Sequence, residues 1–111
     1  MDLQTELDIK TEELRTCVKK LRTTGTEFAE AERAYQVKKA EVALRLRDEG
    51  MSVGLIELTI KGHKEVAPLM FKRDVAGVLY DANKDAVQSA KLQMRLIENQ
   101  IQREWGQAGN E

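Results

Sequence analysis

Two long stretches of this chain repeat their apolar residues every seven positions, and the stretch between them does not. In the first, Leu7, Leu14, Leu21, Phe28, Tyr35 and Val42 fall in one column. Six apolar residues in register predict a helix face that packs along a neighbour. The companion column of Leu3, Cys17, Thr24 and Ala31 is weaker, because Lys10, Lys38 and Arg45 share it, while Val18 and Leu46 broaden the stripe. The spacing predicts a helix over about 3–48, interrupted only by TTGT at 23–26. Thr and Gly are poor helix formers and T-G-T-E can cap a fresh start, so a kink or break is expected there.

In the second stretch Val66, Arg73, Tyr80, Val87, Met94 and Ile101 form one column, and Leu69, Ala76, Asn83, Ala90 and Ile97 the other. Only Arg73 and Asn83 are clearly polar, which predicts a second long helix over about 64–105, with Pro68 tolerated in its first turn. Asn83 and Lys84 are expected to fix register, as polar seam residues do. Both helices come out at roughly 65–70 Å, matched in length. The fold class that follows is all-α: two long antiparallel helices, a coiled-coil hairpin, joined by a short helix over about 52–61, in one domain. A bare pair of helices buries little. Val78, Leu79, Leu92 and Leu96, off the main seam, are expected to be covered by oligomerisation. Tyr35 and Tyr80 are expected to face each other across the seam, Met70 and Met94 to pack, and Trp105 to close the open end against the N-terminal region.

Composition narrows the function. A third of the residues are charged, yet the net charge is only -1, which counts against a dedicated nucleic-acid binder without excluding a local basic patch. No uninterrupted apolar segment suits a signal peptide or the roughly 20 residues of a membrane span. A cytoplasmic protein of a bacterial cell, with no membrane partner, is expected. The lone Cys17 can form neither an intramolecular disulfide nor a Cys-based zinc site. No catalytic motif stands out, and neither a metal nor a cofactor is expected.

The connecting stretch, LRDEGMSVGLIELTIKGHKEVAPL at 46–69, holds three glycines, the only proline and the only histidine. Glu49-Gly50 reads as a helix stop, Ser52 as a cap, and Lys61-Gly62 as a second stop. The pattern also looks like the opening of a helix-turn-helix, but the segment that should read DNA, 63–68, carries a proline and runs into the long helix. Two readings stay open: a DNA-contacting corner and a structural one. Chemistry would gather here, with Lys61, His63, Lys64, Lys72, Arg73 and Tyr80 as candidate anion-binding residues. The bland alternative is a solvated tip with local ion pairs such as Asp48 near Arg45. An Arg73 in the apolar column needs an acidic partner, Asp48 or Glu49, or else lines an anion pocket between subunits.

LRDEG-M-S-V-x-x-I-x-x-x-x-K-G, then F-K-R-D-V-A-x-V-L-Y, then the terminal L-Q-M-R-L-I-E-N-Q-I-Q-R-E-W-G resemble small helical proteins of unknown function. These are encoded by phages and prophages of Gram-positive bacteria, often near recombination and replication genes. The likeness covers residues 29 to 106. It implies a phage origin and a small accessory role, and supplies no catalytic residue. The expected function is therefore non-enzymatic binding. The partner is a host defence protein that is antagonised, another host or phage protein, or a small anionic signalling nucleotide held by an oligomer. The alternative is a DNA-binding or recombinase-associated factor.

Overall fold

The computed structural model describes residues 2–109. They form helices α1 (Leu3–Asp48), α2 (Val53–Thr59) and α3 (Ala67–Gly109), with a single 3₁₀ turn, Ile60–Gly62, between the last two. There is no strand among the described residues. The chain divides into two compact units, one of residues 24–80, the other contributed by residues up to 23 and from 81 onward.

α1 starts where Asp2 accepts a 2.7 Å hydrogen bond from the Thr5 amide, satisfying one of the amides a helix start leaves open. That bond also holds the Asp2 carboxyl below the usual carboxylate range. The expected break at 23–26 is absent, and the helix is continuous through these residues. Thr23 donates its hydroxyl to the Lys19 carbonyl at 3.1 Å, as Thr11 and Thr16 do to Leu7 and Glu12. The threonines are thus accommodated within the helical ladder.

In the 24–80 unit, α1 and the first part of α3 run antiparallel. Gly25 lies against the Tyr80 ring, Gly77 against Phe28, Glu32 against Arg73, and Arg45 against Glu65. A Cβ on Gly25 would sit 3.1 Å from Tyr80 Cε2, and one on Gly77 3.2 Å from Phe28 Cε1. Gly25 is therefore a seat for a ring, not a helix stop. The same packing corrects the expected pairing of tyrosines. Tyr80 stacks with Phe28, ring centroids 6.0 Å apart and tilted by 34°, whereas Tyr35 lies beneath the Arg73 guanidinium at 4.5 Å.

The densest packing is at the connection. Tyr35, Val42, Ile56, Ile60 and Val66 form a buried cluster, flanked by Leu46, Met51, Leu69 and Met70. Gly50, at φ +94°, ends α1. Its amide bonds to the Arg47 carbonyl and that of Met51 to the Leu46 carbonyl, both at 3.0 Å, the paired closure of a Schellman motif. Ser52 then caps α2, accepting from the Leu55 amide at 3.3 Å. The chain turns again at His63, whose carbonyl accepts from Val66 and Ala67. α3 thus begins at Ala67, with Pro68 in its first turn as expected.

In the other unit Val87 and Ala90 are buried. Ile9 on α1 and Leu96 and Ile97 on α3 border a common shallow depression with Glu6, Lys10 and Gln93. All eleven seam positions predicted for α3 are buried or half-buried, as are the six predicted for the leading column of α1.

Candidate interaction surfaces

Seam residues turn inward at helical spacing, and the apolar residues outside those columns are left on the surface. On α3 these are Phe71, Val75, Val78 and Leu79 in the 24–80 unit, and Leu92 and Leu96 in the other. The four positions expected to need cover are thus exposed in the single chain but fall in two units. Phe71, 71% exposed, carried no assignment in the sequence. It lies outside both heptad columns, and an aromatic off the seam was the available signal. Leu44 on α1 and Leu58 on α2 are also exposed, and so is Trp105, at 79%. Trp105 closes nothing. It too lies outside the seam columns.

Phe71 and its neighbours border an open groove of about 660 Å³ in the 24–80 unit. Ala31 and Ala34 from α1 and Ala76 from α3 line it with small side chains, Leu69, Val75 and Leu79 wall it, and Glu27, Glu30 and Lys72 edge it. Alanines on both helices leave the depression that larger residues would fill.

Among the expected anion-binding residues, Arg73, Tyr80 and His63 each have partners of their own. Arg73 pairs with Asp74 at 2.8 Å and with Glu32 at 3.4 Å, not with Asp48 or Glu49. Heptad phase places Arg73 on the seam but gives no vertical alignment with α1, and the alignment observed sets it opposite Glu32. The Asp74 carboxylate pushes the Arg73 pKa further up, so the side chain is a fixed cation already met by two acids and a ring face. Tyr80 packs at Gly25 and Phe28. Lys72 edges the groove. Lys61 ends the region in the 3₁₀ turn and Lys64 lies in the turn that follows, both exposed.

His63 is half-buried, and its Nδ1 accepts a 3.1 Å bond from the Glu65 amide. An Nδ1 that accepts leaves Nε2 as the ring's donor nitrogen. Here His63 caps a turn. Arg45, expected near Asp48, bonds instead to Glu65 at 2.6 Å, a link between α1 and the turn before α3. This bond holds the Glu65 carboxyl below the usual range. A depressed carboxyl contributes stability that is present above its unfolded pKa and lost as pH falls through the folded one. Glu65→Gln is therefore expected to lower the thermal midpoint slightly near about pH 7 and to match wild type near about pH 2, where both side chains are uncharged. Equal midpoints at both pH values would show that the pair contributes nothing.

Segment 63–68, where a DNA-reading helix would begin, is a turn and the first residues of α3, and Val66 within it is fully buried. Among the described residues no three His, Cys, Asp or Glu side chains come together to hold a metal ion, and no helix is long and apolar enough to cross a membrane. Comparison with protein-family models, curated proteins and solved structures gave no match.

Proposed function

We propose that the protein works without catalysis, by binding a partner protein through the apolar surface of α3. The observation that carries this reading is the exposure of Leu92 and Leu96, at 53% and 58%, one helical turn apart on a single face. Such a pair gains free energy only when something apolar covers it, and helix-on-helix docking uses this spacing. The resemblance to phage early proteins suggests the class of partner, a protein of the bacterial host or of the phage, and antagonism of a host defence protein is the role we assign.

Nucleotide sequestration and DNA binding are less well supported. An anion approaching Arg73 would have to displace Asp74 and Glu32, and the net charge of -1 gives little long-range attraction for a polyanion. The test is affinity capture from lysate of a bacterial host, with wild type and with Leu92→Glu, before and after nuclease treatment. The expected result is a captured protein that survives nuclease and is lost with Leu92→Glu. Capture that disappears with nuclease would move the reading to nucleic acid. Native mass spectrometry of the gently purified protein gives the third outcome: a mass excess matching a nucleotide would replace the protein partner with a small anion.

A further inference from the structure

We propose that the groove of the 24–80 unit is filled by a second copy of the same chain, the Phe71 of each copy entering the alanine-lined groove of the other. Knob and hole lie on one surface. Phe71 stands 71% exposed beside the groove, and Ala31, Ala34 and Ala76 leave room for a ring inside it. A surface carrying both halves of a contact is self-complementary, which is what a two-fold interface requires.

The charges at the edges specify the arrangement. Glu27 and Glu30 edge the groove from α1, and Lys72 edges it from α3. None of the three forms an ion pair among the described residues. A two-fold axis lying along the groove sets α1 of one copy over α3 of the other. Each Lys72 then meets the glutamates of the partner copy. An axis across the groove would put like charges together and is disfavoured. Both rims are thus neutralised by an identical chain in the first orientation. Burial of Phe71 supplies the affinity, and the rims supply the orientation.

This inference goes beyond the partner reading above and is read on the purified full-length chain. Leu92→Glu, in the other unit, is expected to leave the dimer intact whether or not it abolishes capture. Sedimentation velocity of the wild type should show a dimer at micromolar concentration. Phe71→Glu should raise the dimer Kd by about 100-fold, with circular dichroism unchanged because the side chain is exposed. Lys72→Glu alone, and the double variant Glu27→Lys/Glu30→Lys alone, should each weaken the dimer several-fold. Mixed together these two variants should pair with each other, since both rims then carry opposite charges. A wild type that stays monomeric at about 100 µM, well above the Kd range of specific interfaces, would overturn the proposal. So would a dimer indifferent to Phe71→Glu, or charge variants that associate no better mixed than apart.

Discussion

Tyr35→Ala should lower the unfolding free energy by about 3–5 kcal/mol, the range for deleting a large buried aromatic. Tyr35 is only 1% exposed and belongs to the cluster that holds α1, α2 and the start of α3 together. Its removal leaves a cavity beneath Arg73, whose guanidinium would lose the ring face it covers at 4.5 Å. For a chain of this size total stability is on the order of 5–15 kcal/mol, so the loss is a large fraction of the whole. Urea unfolding followed by far-ultraviolet circular dichroism measures it. Trp105→Ala is the control, an aromatic that should cost little because it is 79% exposed and lies outside the groove. A loss for Tyr35→Ala no greater than for Trp105→Ala would mean that the connection is not the stabilising centre of the fold.

Gly50→Val should cost about 2 kcal/mol, and Gly50→Asn less than half as much. Gly50 adopts φ +94°, where a β-branched residue is strained and Asn is the best tolerated alternative to Gly. Space is not the obstacle, since nothing lies within 4 Å of a Cβ built there. The cost is therefore conformational, and the ordering Gly, Asn, Val separates strain from a clash. Thermal midpoints of the three proteins decide it. Equal midpoints for Asn and Val would refute the assignment of α1's end to this one backbone angle.

Heptad phase made the inward faces of both long helices legible, because residues seven apart return to the same side whatever they touch. The connection was legible too. Gly50 and Ser52 are local signals, and each acts within three or four residues of itself. Contacts between helices were not legible, because phase says which way a side chain points and not what stands opposite. Hence Arg73 meets Glu32, Arg45 meets Glu65, and Tyr80 meets Phe28. Gly25 was misread for a related reason. Its low helix propensity is a local property worth about 1 kcal/mol, and ring packing from α3 outweighs it. Phe71 is not marked by the seam columns, which report only the inward face, and the groove it borders arises from alanines on two different helices.

The two glycine–aromatic seats have a consequence for alignment. A seam repeating every seven residues is degenerate: slide one helix by a heptad and apolar residues still meet apolar residues. Gly25 and Phe28 on α1 and Gly77 and Tyr80 on α3 are not degenerate. Each ring rests where the opposite helix has no side chain, and the two contacts are reciprocal. Shift the helices by seven, and the position opposite Tyr80 becomes Val18 or Glu32, each with a side chain where the ring must lie. The glycines therefore act as a vernier, selecting one alignment from a ladder of otherwise similar ones at a cost only to the wrong rungs.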